Sequence, residues 1–334
     1  MTRRPNIHDV AKRAGVSTAT VSHVLTESRT VRESTRTAVL EAVEELGYRR
    51  NKSAAALRKG SSDSVTVIVP DITNPFHAEI VAGLEDEAEK MDSSLSLMSA
   101  NLDQKKEARY LREAMGSDAR AVVFLPMNVK SLEEVRHYFS RKSPRLILTD
   151  SIAADSPFST ISVDNPAGGS LVAEHFARIG RKASLVAGAP AGLPTSSQRV
   201  GTFVQRAREL GIVVKDEWLT YGARRTADAA DSVMAILEAN PEIDSVFAGG
   251  DLLAVHIMKQ LRDRGVKIPE DIAVCGFDDI DWAELVSPTL TTVRQPLREI
   301  GRHAARLGLA SDNSPKEDVL LPVELIVRES TIGQ

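Results

Sequence analysis

Apolar residues recur at helical spacing close to the start of the chain. Four of them fall at positions i, i+3, i+4 and i+7: Ile7, Val10, Ala11 and Ala14. Asn6 stands where a helix N-cap is expected, and Asp9, three residues later, completes a capping box. Gly15 can adopt the positive φ that ends a helix. The pattern therefore predicts a short helix over residues 7–14.

A second short helix is predicted directly after Gly15. Ser17 can cap it by accepting a backbone N–H. Its apolar positions are Val21, Val24 and Leu25. The free face carries small side chains and an imidazole: Thr18, Ala19, Ser22 and His23. So little apolar surface favours a helix that binds something, and these side chains suit contacts with DNA base edges. An amphipathic helix pair in an unrelated small domain is the alternative.

A third helix is predicted over residues 33–46, before a basic linker. Gly47 ends it, and its apolar side comprises Val39, Leu40, Val43 and Leu46. The next stretch, 49–62, is basic, with an alanine-rich centre and a Gly-Ser end. A helix of about two turns is marginal alone in water, so we expect this stretch to fold only against a partner. Leu57 could then wedge into a minor-groove base step, and an ordinary flexible linker is the alternative.

From residue 64 onward, short apolar runs alternate with helical patterns. The runs that predict buried strands are 65–69, 95–98, 121–125, 146–148, 161–163, 183–186, 245–248 and 272–277. Helical patterns lie near 80–91, 166–180, 196–211, 226–240 and 251–264. Such β-α-β repetition predicts parallel sheets covered on both faces, and its restart after about residue 160 predicts two doubly wound halves. The expected fold class is therefore α/β with an all-α head.

Polar residues directly follow several of the predicted strands. They are Asp71, Thr73, Asn74, Asp150, Asp164, Asp251, Asp278 and Asp279. In open α/β sheets a ligand binds beyond the carboxyl ends of the strands, so these side chains are candidates for one shared crevice. Each could instead cap the helix that follows its strand, which is the commoner role for Asp at that place.

Composition and charge narrow the class of protein. Hydrophobic residues make up 42% and charged residues 26% of the 334 positions, as in ordinary globular proteins. The formal net charge of −4 is unevenly divided, with +6 in residues 1–60 and −10 in the remainder. A basic head attracts phosphate, so this division favours a nucleic-acid partner for the first 60 residues. A solvated basic face without a partner is the alternative.

Further features exclude other classes. The single cysteine, Cys275, lies in the apolar run 272–277, so neither an internal disulfide nor a catalytic thiol is expected. No apolar segment has the length of a secretory signal or of a membrane span, so we expect a cytoplasmic protein without a membrane partner. The seven histidines show no metal-ligand spacing, and neither a metal nor a cofactor is expected.

Together these segments resemble the LacI/GalR family of bacterial transcriptional regulators along essentially the whole chain. The resemblance rests on motifs in the head, hinge and core: Asp9-Val10-Ala11, Ala14-Gly15-Val16-Ser17, Thr20-Val21-Ser22, Ala54-Ala55-Ala56-Leu57, Asn74-Pro75-Phe76, Val163-Asp164-Asn165, Gly276-Phe277-Asp278-Asp279 and Leu290-Thr291-Thr292-Val293-Arg294-Gln295-Pro296. The recognition helix resembles most the purine repressor branch, except that Ala19 replaces a threonine of that branch.

The resemblance implies a domain organisation and a dimer. In chain order the implied parts are a helix-turn-helix head (1–50), a hinge helix and linker (51–61), a core N-subdomain (62–162 plus 293–321) and a core C-subdomain (163–292 plus 322–334). The two subdomains would resemble periplasmic sugar-binding proteins, with crossings near residues 162, 292 and 322. A homodimer would read a pseudo-palindrome, and the absence of a trailing heptad argues against a coiled-coil tetramer.

The same resemblance implies which residues meet DNA. Thr18, Ala19 and His23 would meet bases in the major groove. Leu57 would intercalate at the central step, between paired hinge helices. The full implied set is Asn6, His8, Ser17, Thr18, Ala19, Thr20, Ser22, His23, Arg32, Asn51, Lys52, Ala54, Leu57 and Arg58. Ala55 stands where relatives often carry Gln or Arg, so a polar minor-groove contact is not implied there.

For the core, the resemblance implies an effector pocket. Its residues would be Phe76, His77, Asp150, Thr195, Arg199, Arg224, Asp251, Asp278 and Gln295. Many relatives carry an aromatic ring at position 224, whereas here Arg224 is followed by Arg225. Guanidinium groups match phosphate and carboxylate, so we hypothesise an anionic effector such as a sugar phosphate. Two solvated loop arginines are the alternative, and a sugar or a nucleobase-like effector also stays open.

Three classes of function compete for this sequence. A DNA-binding repressor switched by a small molecule accounts for the head, the charge division, the hinge and the crevice together. A sugar-binding protein of transport or sensing type accounts for the core alone. An enzyme with paired carboxylates, for example Asp278 with Asp150, lacks a nucleophile and a base at suitable spacing. We therefore expect a regulator and not an enzyme, with induction and corepression both open.

Overall fold

The computed structural model describes residues 5–26, 29–48, 64–128, 131, 144–150, 156–188, 194–220, 226–311 and 313–333. The chain divides into two compact units, the head (1–62) and the core (63–334). The described part of the head folds as three helices: α1 (Ile7–Ala14), α2 (Thr18–Thr26) and α3 (Glu33–Leu46). Within the described ranges, no helix has both the length and the apolar character needed to cross a membrane.

The predicted caps of the first helix are confirmed. The Asn6 side chain accepts from the backbone N–H groups of His8 and Asp9, at 2.9 and 3.2 Å. The Asp9 carboxylate accepts in turn from the backbone N–H of Asn6 at 2.8 Å, which completes the capping box. Gly15 has a φ of 67° and ends α1, and Gly47 has a φ of 59° and ends α3. Local sequence therefore determines where these helices begin and end.

The head has a small core of its own, in which one predicted member is wrong. Its buried side chains are Val10, Ala11, Val21, Val24, Val39 and Ala42. Leu40 was expected on the apolar side of α3, but it is 46% exposed. The core uses Val39, Ala42, Val43 and Leu46, which share one helix face. Leu40 lies about 100° around the helix from Val39 and so points away from that face.

The described core is built from short strands and the helices between them. In chain order its elements are β1 (Ser64–Val69), α4 (Pro75–Lys90), β2 (Ser94–Ser99), α5 (Gln104–Met115), β3 (Ala121–Phe124), β4 (Arg145–Thr149), β5 (Ser159–Val163), α6 (Asn165–Arg178), β6 (Ser184–Ala187), α7 (Pro194–Glu209), a 3₁₀ turn (Asp216–Trp218), β7 (Leu219–Thr220), α8 (Thr226–Ala239), β8 (Ser245–Ala248), α9 (Asp251–Asp263), β9 (Ala273–Asp278), α10 (Trp282–Leu285), β10 (Thr291–Arg294), α11 (Leu297–Leu309), β11 (Asp318–Leu321), β12 (Glu324–Ile326) and α12 (Glu329–Ile332).

These strands form two six-stranded sheets. Sheet 1 has the order β11-β5-β4-β3-β1-β2, and all of its described pairings are parallel. Alternate residues of β1 face opposite sides, as the period of a strand requires. Val65, Val67 and Val69 pack with α4 and α11, whereas Ile68 packs with α5. The α/β class predicted from the alternating runs is confirmed, with both faces of the sheet covered.

Sheet 2 has the order β12-β10-β9-β8-β6-β7 and departs from the all-parallel expectation at one edge. There β12 pairs with β10 in antiparallel register, Thr292 opposite Ile326 and Arg294 opposite Glu324. The chain passes from sheet 1 to sheet 2 after Val163, back after Arg294, and again between β11 and β12. Because β11 runs toward the junction of the sheets, a strand that continues past the junction must run away from it. The reversed direction of β12 follows.

Candidate nucleic-acid interface and effector crevice

An open groove lies beside α2 of the head. It has a volume of about 500 Å³, and its lining residues are Val16, Ser17, Thr20, His23, Arg29, Thr30, Val31, Arg32 and Thr35. The Ser17 hydroxyl accepts from the backbone N–H of Thr20 at 3.1 Å and lies 2.9 Å from the Thr20 hydroxyl, so its predicted role as the cap of α2 is confirmed. The hydroxyl, imidazole and guanidinium groups of the groove match phosphate oxygens and base edges.

The predicted DNA-contacting residues divide between this groove and the surface around it. Four of them line the groove: Ser17, Thr20, His23 and Arg32. Ala19 and His8 are exposed, and Thr18 and Ser22 are half-buried. The Asn6 side chain is engaged in the cap of α1. Five others lie outside the described residues, and their roles stay predictions: Asn51, Lys52, Ala54, Leu57 and Arg58.

Part of the groove was not predicted from the sequence. Arg29, Thr30 and Thr35 line it together with His23, although none of them was singled out as a site residue. Arg29 entered only through the net positive charge of residues 1–60. The available signal was its place in the sequence, three residues after the last residue of α2, because side chains close to the end of a DNA-binding helix lie near the same partner.

In the core, strand ends of the two sheets meet at one place, here called the crevice. Asp150 follows β4 of sheet 1, and Asp278 is the last residue of β9 in sheet 2. The Asp150 carboxylate interacts with Arg199 and with the hydroxyl of Thr195, both on α7 beside sheet 2. Asp150 and Asp278 have positive φ values, 50° and 123°. Such conformations are costly for residues other than glycine, and they cluster at functional sites.

Arg199 is the cation at the centre of the crevice, and it is 4% exposed. Its Nε donates to the Asn165 side-chain oxygen at 2.9 Å, and its Nη1 donates to the Gly249 carbonyl at 2.7 Å. Its guanidinium lies 3.8 Å from the centre of the Phe277 ring, and Nη1 lies 3.9 Å from Asp278 Oδ1. Several elements of sheet 2 thus hold one planar cation in a single orientation.

Burial is the largest influence on the pKa values of the charged side chains in the crevice. It raises the pKa of Asp150 to about 6, although Arg199 and the Thr195 hydroxyl act in the opposite direction. Burial also raises the pKa of Asp278, against the effect of Arg199 and of the Gln295 amide. The pKa of Arg199 is lowered by burial, with Asp278 as the largest opposing influence. The crevice therefore holds carboxylates whose negative charge is incompletely balanced.

Asp251 was expected to contact the effector, but the structure gives its carboxylate a different set of partners. It is fully buried, and its Oδ2 accepts from the backbone N–H of Ile280 at 3.0 Å. Its Oδ1 accepts from the Thr292 hydroxyl at 2.5 Å. A Cβ atom at Gly276 would lie 2.1 Å from the same Oδ1, so only glycine leaves room there. In this conformation Asp251 ties β10 and the segment after β9 to the start of α9.

On the side of sheet 1, Phe76 and His77 stand at the start of α4. Phe76 is 7% exposed and belongs to the core beneath sheet 1. The two rings are in edge-on contact, with centres 5.2 Å apart. His77 Nδ1 lies 2.7 Å from the Asp71 carbonyl, which can only accept, so Nδ1 carries the proton and Nε2 is left as an acceptor. Burial lowers the pKa of His77 to about 4, so the ring is neutral near pH 7.

Two of the polar residues that follow strands are helix caps, as the alternative interpretation allowed. Asn74 accepts from the backbone N–H of Phe76 at 3.1 Å, at the start of α4. Asp164 accepts from the backbone N–H of Ala167 at 2.9 Å, at the start of α6. Both side chains therefore serve local helix geometry.

Asn165 of the crevice and Gln198, beside Arg199 in the sequence, were not among the predicted site residues. Asn165 is fully buried and orients Arg199, and its neighbours in the Val163-Asp164-Asn165 motif offered a signal for it. Gln198, next to Arg199 on α7, has a buried side-chain oxygen with no donor among the described residues. Nothing in the sequence pattern marked Gln198. Arg224, the basis of the anionic-effector hypothesis, lies outside the described residues.

The described residues offer neither a cluster of metal ligands nor a reactive thiol. They contain no cluster of three or more His, Cys, Asp or Glu side chains that could hold a metal ion. Cys275 is fully buried in β9, and burial raises the pKa of its thiol well above the usual value. A thiol in that state is a poor nucleophile.

Comparison with known families gives two matches along the chain. Residues 6–51 match the family described as bacterial regulatory proteins, lacI family. Residues 172–331 match a periplasmic binding protein-like domain. The first match covers the described helices of the head, and the second covers all six strands of sheet 2 together with α11.

Full-length relatives and solved structures extend these matches. Catabolite control protein A of Priestia megaterium is 31% identical over 97% of this chain and 98% of its own. The HTH-type transcriptional repressor PurR of Photobacterium profundum is 30% identical over 97% of this chain and 98% of its own. A transcriptional regulator CelR–cellobiose complex has 27% identity and a TM-score of 0.70, with 98% and 100% coverage. A lac repressor dimer bound to operator and the anti-inducer ONPF shares the fold, with 21% identity, a TM-score of 0.86, and 98% and 99% coverage.

Proposed function

The chain belongs to the LacI family of bacterial regulatory proteins, and we propose that it is a repressor that binds a pseudo-palindromic operator as a dimer. It is a ligand-responsive, DNA-binding transcriptional regulator and not an enzyme. The observation that carries the proposal is the presence, in one chain, of the α2 groove around His23 and the crevice around Arg199. A transport-type binding protein would need only the crevice.

In the proposed complex, α2 lies in the major groove of each half-site. The Thr18 methyl group and Ala19 suit contact with thymine methyl groups, and His23 can donate to guanine O6 or N7. Arg32 and the other groove residues would hold phosphates, and Leu57 of the hinge would enter the central step. The relative crystallised as a dimer on operator DNA supports this arrangement. Within the family, the recognition helix favours the purine repressor branch, while relatives of several branches match at similar identity.

The proposed effector is a small molecule in the crevice, of the sugar, sugar phosphate or nucleobase-like class. Support for a sugar comes from the relative solved with cellobiose. Effector binding would change the angle between the two sheets through the three crossings that join them. The change would alter the packing of the hinge and so the affinity for the operator. An effector that prefers the DNA-binding state acts as a corepressor, and one that prefers the other state acts as an inducer.

The proposed domain organisation consists of a head, a hinge and a core of two subdomains. The head would comprise 1–50 and the hinge 51–61, and the core subdomains would be 62–162 plus 293–321 and 163–292 plus 322–334. The separate compact units and the two sheets support this division in outline, while β10 (Thr291–Arg294) lies wholly in sheet 2 and places the second crossing after Arg294. We propose a cytoplasmic location because the operator is there, and no cofactor is required.

Selection of DNA by the full-length protein tests the proposal. The protein is expected to enrich an inverted-repeat site from a random duplex pool, and fluorescence anisotropy then gives its affinity for that site. His23→Ala should weaken binding by about 1–3 kcal/mol and relax the preference at one base pair of each half-site. His256→Ala in the core is the matched control. If no site is enriched, or if His23→Ala binds the site with the same affinity and the same base preference as the parent, the proposed readout is wrong.

A thermal-shift screen of the protein against sugars, sugar phosphates and nucleobases tests the effector. A ligand that binds only the folded state raises the melting temperature. A true effector must also change operator affinity in the anisotropy assay. Binding without any effect on DNA would point to the sugar-binding alternative.

A further inference from the structure

We propose that the crevice selects its effector by charge, and that a polyhydroxylated ligand carrying a protonated amine binds better than its uncharged counterpart, with the phosphorylated counterpart binding worst. This inference rests on the proposed function, because it concerns the same effector site. It follows from the hydrogen-bond partners of the crevice side chains and from the charges among the described residues there.

One buried acceptor of the crevice has no donor among the described residues. The Gln295 amide nitrogen donates to Asp278 Oδ1 at 2.7 Å, which fixes the orientation of the amide group. Its oxygen is then left buried without a donor in the described part of the chain, and Gln295 is 4% exposed. A buried acceptor without a donor is costly, so this oxygen requires a donor from a ligand.

The guanidinium that could attract an anion is already engaged by the protein. Arg199 directs Nε to Asn165 and Nη1 to the Gly249 carbonyl. One face of its plane lies against the Phe277 ring. A phosphate is best bound by the bidentate fork of a guanidinium, and two of the three nitrogens of this fork have partners within sheet 2. Arg199 is therefore arranged to hold the crevice together.

The side of sheet 1 adds another acceptor. His77 donates through Nδ1 to the Asp71 carbonyl, so Nε2 accepts. The ring is neutral near pH 7 because burial lowers its pKa to about 4. A neutral imidazole with its proton committed to the backbone adds no positive charge for an anion.

The charged side chains of the crevice also favour a cationic ligand. Asp150 and Asp278 face the guanidinium of Arg199, and burial raises the pKa of both carboxyls and of Asp251. A ligand ammonium would favour the ionised form of these carboxyls and donate up to three hydrogen bonds to the acceptors. A ligand phosphate would add negative charge to a buried site, which is strongly unfavourable. The anionic alternative depends on Arg224 and Arg225, which lie outside the described residues.

Matched sugar series measured on the full-length protein at pH 7 test this order. The probes are glucose, galactose and mannose, each as the free hexose, the 2-amino-2-deoxy sugar, its N-acetyl form and the 6-phosphate. The N-acetyl form is the control for size, because it fills the same position without charge. We expect the amino sugar of at least one series to give the largest thermal shift and the tightest binding by calorimetry. Added salt should reduce its advantage.

Carboxamide variants locate the effect. Asp150→Asn and Asp278→Asn should each remove about tenfold of the advantage of the amino sugar over its N-acetyl form, the loss expected for one charged hydrogen bond. Asp263→Asn, an exposed position on α9, removes the same charge away from the crevice and should change nothing. Circular dichroism confirms folding, and either crevice variant suffices if the other does not fold.

The outcomes separate this inference from the proposed function. Tightest binding by a 6-phosphate, equal binding of the amino and N-acetyl forms, or no binding in any series would overturn the charge preference. Enrichment of an operator would be unaffected by any of these results. Conversely, amino-sugar binding that Asp150→Asn abolishes, in a protein that enriches no DNA site, would sustain the charge preference and refute the proposed repressor.

Discussion

Asp150, Asp251 and Asp278 are the same residue type after three different strands, yet their surroundings give them different roles. Asp251 satisfies both oxygens inside the protein, with Ile280 and Thr292. Asp278 has the Gln295 amide as its short partner, and Asp150 has Arg199 and Thr195 nearby. Burial raises the pKa of all three carboxyls, so what separates their roles is the set of partners that each one contacts.

The raised pKa of Asp150 predicts how stability depends on pH. The folded state holds this proton more tightly than the unfolded chain, so its contribution to stability is complete below pH 4 and is lost as pH rises through about 6. Asp150→Asn removes the ionisable group, so the variant does not lose this stability as pH rises. We expect the variant to gain on the order of 1–2 kcal/mol relative to the unliganded parent between pH 4.5 and 8.

Thermal melts of the unliganded protein across that pH range measure the effect. Asp263→Asn, at an exposed position that is ion-paired with Lys259, is the matched control and should show no gain that rises with pH. A difference between Asp150→Asn and the parent that stays constant from pH 4.5 to 8 would show that ionisation of Asp150 costs no stability.

At the scale of elements, α4 and α11 approach each other so closely that only glycine fits at two positions of the contact. A Cβ atom at Gly83 would lie 2.1 Å from the Arg298 carbonyl oxygen, and one at Gly301 would lie 2.0 Å from the Ile80 carbonyl oxygen. Ion pairs such as Arg298–Glu79, at 2.8 Å, flank the contact. These pairs are partly exposed and contribute little stability, so the apolar packing that the close backbone approach allows holds the two helices together.

Replacing one of these glycines should separate the helices. Gly301→Ala is expected to destabilise the core by about 3 kcal/mol or more, because the added methyl meets backbone that cannot move aside. Chemical denaturation of the full-length protein gives this value. Gly201→Ala on α7 is the matched control, since a Cβ there meets nothing within 4 Å. That control should be neutral or stabilise by about 0.5–1 kcal/mol, as Gly to Ala does in exposed helices. Equal effects of the two changes would show that α4 and α11 can move apart at no cost.

Local signals explain which elements the sequence could predict. The capping box at Asn6 and the glycines after α1 and α3 are short-range features, so these two helices were predicted at their observed bounds. No element was predicted for α5 or α11, because α5 is rich in charge and α11 follows a proline at the edge of a recognised motif. The reversed β12 depends on where the chain crosses between sheets, which no local pattern encodes.

At the scale of the whole molecule, the proposed switch needs both the head and the hinge. Leu57→Ala should weaken specific operator binding by about tenfold or more, because the wedge that stabilises the kinked central step is lost. Effector binding by calorimetry should stay unchanged. Leu210→Ala, an exposed leucine of the core, is the matched control. An equal loss of DNA and effector affinity would contradict the modular arrangement.

An isolated head should bind the operator more weakly than the full-length protein does. A fragment of residues 1–50 lacks the hinge and the dimer partner that the core would supply, so we expect it to bind the selected operator weakly. Anisotropy with the operator from the selection experiment measures this, and a scrambled duplex is the control. Full affinity of the fragment would show that the hinge contributes nothing.

The sequence by itself determined the head helices and their caps, the alternating strands and helices of an α/β core, and the family, because these depend on residues close together in the chain or on recurring motifs. Only the tertiary structure decided what the candidate carboxylates do. Asp251 became an internal tie, and Asp278 joined Arg199, Gln295 and Asn165 across distant segments. Burial, pKa and donor balance arise from packing between the two sheets, and residues far apart in the chain set them together.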